Sequence, residues 1–360
     1  MRRPPTGLVA AGPAAAVYPH ERDRTVPAGL RAFLKRSKTI VIAGHIYRNW
    51  RARIRFNMGE VGAPAGSTHR KLSLTESLDY IDRVFDDYLT YSGLSARVLH
   101  GKRVLEIGPG DNLGVALKFL VAGASQVVCL DKFFSERDPR QQYRIYQALR
   151  ERLDDHGKRV FDMALRLDRE NRIQVNQHAL SYVYGTSIER ADAIFEPLSF
   201  DLIVSRAVVQ DVHDTDAAFS AMDKLLARGG HLIHKIDLRD YGVFDRDVWP
   251  PLTFLTIPDR VYRLMTGDLP APNRRLVNYY RRKMDELGYD ARMLITSVLG
   301  AGGEVVPHKQ ELEYGADYFN STISLIRSIR PRLLPRYKKL PDEDLMVAGI
   351  FLVARKPESG

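Results

Sequence analysis

Gly101-Lys-Arg-Val-Leu-Glu-Ile-Gly-Pro-Gly-Asp-Asn-Leu-Gly114 runs from an apolar strand into a glycine turn and on towards a helix. Val104, Leu105 and Ile107 make the strand and Gly108-Pro109-Gly110 the turn; helical spacing then extends from Leu113 to Ala122. In such an arrangement backbone N–H groups and a helix N-terminus face a ligand lying across the strand end. Gly108 and Gly110 lack a Cβ, so the chain can turn sharply and a ligand can come close to the backbone. Many α/β proteins carry such a turn, and the neighbouring residues have to narrow its meaning. Glu106 stands just before the first glycine, and a second apolar run, Gln126–Leu130, ends in Asp131. An acid at the end of the second strand suits hydrogen bonding to a ribose diol. A dinucleotide fingerprint needs another glycine three residues after the second; Leu113 stands there, and Gly114 comes one residue late.

The run Glu106–Gly114 resembles the first motif of class I S-adenosylmethionine (SAM)-dependent methyltransferases. The resemblance implies SAM as cofactor, its methionine part cradled by the glycines and its ribose hydroxyls taken by Asp131. It places Glu106, Gly108, Pro109, Gly110, Asp111, Asn112, Leu113, Asp131 and Lys132 around the cofactor. Phe200-Asp-Leu-Ile-Val-Ser205 looks like the family's fourth motif, which adds Ser205 and Arg206, and Leu225-Leu-Ala-Arg-Gly-Gly230 before a fifth strand is also similar. A third strand over 179–184 leads into Gly185-Thr-Ser-Ile-Glu189, where Thr186 or Ser187 would meet the adenine. The chain departs from the family twice: the acid often found in that adenine loop is missing, and Gln210-Asp211 stands where many members carry Glu-His. The implied fold is α/β, a doubly wound, mostly parallel seven-stranded sheet closed by an antiparallel pair, here 292–299 and 346–355.

The 360 residues exceed a typical single domain and suit one α/β unit with extensions, and 44% hydrophobic content allows a sizeable core. A lone cysteine, Cys129, excludes a disulfide framework and a cysteine zinc site within one chain; it points to a reducing, cytoplasmic setting. No apolar run is long enough for a membrane span. The net charge of +10 raises nucleic acid or an anionic membrane as partners, against the plainer alternative of a solvated basic surface.

Working outward, 1–28 reads as a disordered tail and 29–99 as a basic N-terminal helical extension. Residues 29–56 carry eight Lys/Arg and no acid, interleaved with Ile40, Ile46, Tyr47 and Trp50. Within the extension, Ser73-Leu-Thr-Glu76 forms a capping box for a helix that stops at Gly93. Residues 100–245 form the cofactor-binding core, with a charged helical crossover over 139–168. Residues 246–290, with Trp249, Tyr262 and a proline-rich 270–275, leave the carboxyl end of a central strand, where open α/β sheets bind ligands. They read as a substrate lid, or else as a peripheral packing helix. The last two strands fall within 291–357, separated by a basic helical insertion over 318–341.

Methyl transfer to oxygen or nitrogen needs positioning, exclusion of water and usually a base. Asp211, His213 and His234 are the candidate catalytic residues; strand alternation places His234 on the more apolar face, where a core histidine is the competing reading. No ligand spacing supports a metal site. An Asn/Asp-Pro-Pro-aromatic run is missing after the fourth strand, and no cysteine lies near that loop, which lowers the case for nucleic-acid methylation. The expectation is therefore a methyltransferase acting on oxygen or nitrogen of a small molecule, for example a secondary metabolite, glycoside or lipid-linked compound. An RNA-modifying enzyme and a non-catalytic SAM-binding scaffold remain as alternatives.

Overall fold

The computed structural model describes residues 34–58, 68–168, 170, 172–267, 269–301 and 303–358. The expected tail over 1–28 lies outside these residues. Helices α1 (Lys38–Asn57) and α2 (Leu74–Ser92) precede the sheet, followed by β1 (Arg103–Ile107), α3 (Gly114–Val121) and β2 (Gln126–Asp131). The crossover holds α4 (Pro139–Glu151), α5 (Asp155–Ala164) and a small hairpin of β3 (Leu165–Leu167) and β4 (Ile173–Val175). Then come β5 (Leu180–Tyr184), β6 (Phe200–Arg206), α6 (Thr215–Leu225) and β7 (Leu226–Asp237). The C-terminal third holds α7 (Asp259–Thr266), α8 (Val277–Leu287), β8 (Asp290–Val298), β9 (Glu304–Lys309), α9 (Asn320–Ile329), α10 (Pro335–Lys338), α11 (Asp342–Met346) and β10 (Val347–Arg355).

The main sheet runs β5-β2-β1-β6-β7-β10-β8-β9. The first five strands in that order are parallel, and β10, β8 and β9 add antiparallel pairs. Helices cover both faces, so adjacent residues of one strand enter different cores: Val104 packs with the α2–α5 side and Leu105 with the α6–α8 side, and both are wholly buried.

Local rules explain the boundaries. Ser73 Oγ accepts from the Glu76 amide and the Glu76 side chain accepts from the Ser73 amide, a capping box that starts α2; Gly93, at φ +73°, stops it. Three expectations change. The sheet has eight strands, because Glu304-Val-Val-Pro-His-Lys309 pairs with β8; a proline and charges at both ends hid that strand. The crossover turns extended at Leu165 and does not stay helical to residue 168. The fifth parallel strand begins at Leu226, before Gly229-Gly230 rather than after them, since Leu226 already pairs with Phe200.

Candidate functional site

Parallel pairing brings the carboxyl ends of β1, β2, β5 and β6 into one row. Glu106 lies opposite Cys129 on one side and Val204 on the other, and Cys129 lies opposite Tyr182. The turn after β1 has Gly108 at φ +69° and Gly110 at φ +70°, a region costly for side-chain-bearing residues. The Gly108 N–H donates to Leu130 O at 2.8 Å, and a Cβ on Gly108 would stand 2.3 Å from a Val208 methyl. The turn therefore has to be glycine both for its angle and for its contact with the loop after β6.

Asp111, Asn112 and Leu113 frame this turn, and their polar groups are already engaged. The Asp111 carboxylate accepts from the His69 and Arg70 amides at 3.2 and 3.0 Å. Asn112 accepts from Gly114 N at 2.6 Å and donates to Gln142 at 2.9 Å, and the Leu113 amide donates to Tyr146 Oη at 3.0 Å. All three residues are buried. They shape the loop, leaving its backbone and the acids beside it to meet a ligand.

Those acids are poised. Burial pushes the Glu106 carboxyl up to about 7, against the pull of the Cys129 thiol 3.5 Å away and the Arg137 charge. Burial likewise lifts Asp131 to about 6, opposed by long bonds from the Phe133 amide (3.4 Å) and Ser135 Oγ (3.3 Å) and by Arg137. Arg137, which the sequence reading missed, lies 4.0 Å over the Tyr182 ring and donates to Gly110 O at 3.2 Å. Its Nε is buried with no acceptor. An orphaned donor, a carboxylate with lone pairs to spare and a glycine turn suit a polar ligand with a diol and an amino-acid end, so the donor set fits SAM. No sequence period marks Arg137; only its place in the loop after Asp131 could have suggested it.

A cavity of about 1500 Å³ opens beside this row. Lys132, Thr186, Ser187 and His213 line it, so four of the sequence-selected residues meet there. Glu189, Arg190 and Asp214 of the core also line it, and its far wall comes from α7 and 273–282 of the expected lid and from Arg336, Tyr337 and Leu340 of the basic insertion. Asn273 straps this segment to the core: its amide donates to Gln210 O at 2.8 Å, and its side chain donates to Val209 O and Val212 O. Arg274 is buried over the Tyr262 ring at 4.0 Å and shares the Asp259 carboxylate with Arg336.

The other candidates part company. Ser205 and His234 are neighbours across β6 and β7, both without exposed surface, and Ser205 Oγ lies 2.8 Å from His234 Nδ1. Burial pushes His234 down to about 3, so it is a neutral core histidine; the catalytic expectation for it fails because neither cofactor nor acceptor can reach a ring with no accessible surface. Arg206 is held by Asp87 at 2.6 Å, on the α2 side of the sheet. Asp211 is lifted to about 7 by burial and by the Asp237 charge, and its Oδ1 is buried without a partner. Among the described residues no group of three or more His, Cys, Asp or Glu could hold a metal ion, and no helix is long and apolar enough to cross a membrane.

The fold and the glycine cradle define a Rossmann-like enzyme of the class I SAM-dependent type. The profile of the methyltransferase domain family matches residues 79–288, and the chain belongs to that family. It thus carries a methyltransferase domain, as the resemblance of Glu106–Gly114 implied. No protein of curated function matches it in sequence. Among solved structures it is similar to a Haemonchus contortus phosphoethanolamine N-methyltransferase in complex with SAM, at 16% identity over 79% of this chain, with TM-score 0.35. A SAM-dependent methyltransferase from Mesorhizobium loti matches at 16% identity over 76% of this chain and 100% of its own, with TM-score 0.35. An arsenic(III) SAM methyltransferase from Chlamydomonas reinhardtii matches at 17% over 71% of this chain and 63% of its own, with TM-score 0.35. The match spans 60% of the length of the Haemonchus chain.

Proposed function

We propose that the chain transfers a methyl group from SAM to an oxygen or nitrogen of a small, negatively charged acceptor. The observation that carries this reading is the cavity that begins at Lys132 and Gly185–Ser187, beside the cofactor row, and continues under α7 and 273–282. Seven Lys/Arg side chains and three acids line it. Arg274 and Arg336 share the single Asp259 carboxylate, whereas Arg190 and Arg263 have no ion-pair partner among the described residues. A wall with unpaired guanidinium groups favours an acceptor bearing phosphate or carboxylate.

SAM supplies a methyl group on a sulfonium, activated for in-line displacement. Asp131 would take the ribose diol, with Thr186, Ser187 and Lys132 beside the adenosine and the 108–110 backbone beside the methionine part. The walls of the cavity orient the acceptor and exclude water. His213, on the cavity wall, would receive the proton that an oxygen or nitrogen acceptor releases.

The test is methyl transfer from radiolabelled SAM to panels of phosphorylated, carboxylated and neutral small molecules, with RNA alongside. Turnover confined to anionic small molecules supports the reading. Turnover on RNA alone, or SAM binding with no turnover on any panel, would sink it.

A further inference from the structure

We propose that the outward face of α1 seats the protein on an anionic lipid surface. The helix is fixed in orientation by its inner face. Val41, Ile42 and Ile46 pack on the core, and His45 and Asn49 are buried. The His45 ring lies 3.0 Å from Val243 O, Lys38 Nζ donates to Thr256 at 2.6 Å, and Lys35 pairs with Asp245 at 2.7 Å. What faces away is therefore set by the fold.

That outward face is apolar. Ile40, Tyr47, Trp50 and Ile54 are 41%, 56%, 57% and 38% exposed, and Met58, just past the helix end, is 74% exposed. Positions 40, 47 and 54 lie two helical turns apart on nearly one line, with Ala43, Gly44, Trp50 and the cationic Arg51 exposed beside it. Scattered exposed apolar side chains need no explanation; a row of them running about 20 Å along one side of a helix does. The polar rim has one sign. Residues 29–59 contain no Asp or Glu, and Arg48, Arg51 and Arg53 are exposed along the helix.

Aromatic and aliphatic side chains in a row, with arginines as the charged groups exposed among and beside them, match an interfacial helix that sinks its apolar side chains into the headgroup boundary of anionic lipid. A second copy of α1 is a poor occupant, because two all-cationic helices repel. Nucleic acid would use Tyr47 and Trp50 for stacking but leave Ile40, Ile54 and Met58 unused. The helix lies on the bilayer rather than across it, since no described helix is long and apolar enough to span one.

The experiment uses the full chain with vesicles of phosphatidylcholine alone or mixed with phosphatidylserine, read by flotation and by the tryptophan emission. The expected result is binding to the mixed vesicles that weakens with salt, a blue shift of the emission, and little binding to phosphatidylcholine alone. Trp50→Glu combined with Ile54→Glu should weaken binding on the order of a hundredfold while leaving the melting curve unchanged, because both positions face solvent. No binding to mixed vesicles at low salt overturns the proposal. So does wild-type binding by the double variant, a dimer that the variant splits, or RNA binding tighter than vesicle binding and lost in the same variant.

Discussion

Ser205 Oγ and His234 Nδ1, 2.8 Å apart on neighbouring strands, form a polar pair sealed inside the sheet core. The remaining ring nitrogen, Nε2, is buried without a partner. His234 folds as the neutral imidazole, with its pKa near 3. Its contribution to stability is present above its unfolded pKa of about 6.5 and is lost as pH falls through the range down to 3. His234→Ala should lower stability by roughly 2–4 kcal/mol through the cavity it leaves, with SAM affinity of the folded fraction retained. Denaturant melts and calorimetry check both, and the ring should not titrate by NMR between about pH 5 and 8.

Asp131 should govern cofactor affinity. Removing a carboxylate that takes a ribose diol costs one or two charge-assisted hydrogen bonds, so Asp131→Ala should weaken SAM binding by about tenfold to a hundredfold. Because burial holds the free carboxyl near 6, wild-type affinity should also decline as pH falls through 6. Calorimetric titration from acid to neutral pH reads both, and a flat profile would count against this contact.

Asp211 should make the fold alkali-sensitive. Its pKa is higher in the folded state, about 7, than the ordinary 3.8, so its contribution is fully present below the ordinary value and is lost as pH rises through 7. Asp211→Asn should raise the melting temperature relative to wild type at alkaline pH, by roughly several degrees, with a gap that narrows on acidification. Thermal scans across pH test this directly.

Arg190 and Arg263 should set acceptor affinity. Charge reversal at both should raise KM for an anionic acceptor by about tenfold or more, with kcat and SAM binding little changed. A loss confined to kcat would place these arginines elsewhere in the reaction.

The β1 turn, the Asp131 acid and the capped α2 were legible in sequence because each rests on local chemistry: a positive φ, a strand-end acid, a reciprocal cap. The alternation along β7 also placed His234 correctly on a buried face. The site's tertiary parts were not legible. Arg137 reaches Gly110 and Tyr182 through a loop with no period, and Asn273 binds three carbonyls some sixty residues away that no pattern announces. The resemblance counted Asp111 and Asn112 among the cofactor contacts; only the fold reveals that their side chains bond His69, Arg70, Gly114 and Gln142.

The strand that the sequence hid has a further consequence. β9 is one of the two edge strands of the sheet, and Pro307 within it has no amide hydrogen to offer. Glu304 and Lys309 put opposite charges at its two ends. A strand so interrupted makes a poor template for another chain, so this border of the sheet resists amyloid-like recruitment even though β10, two strands in, is strongly apolar.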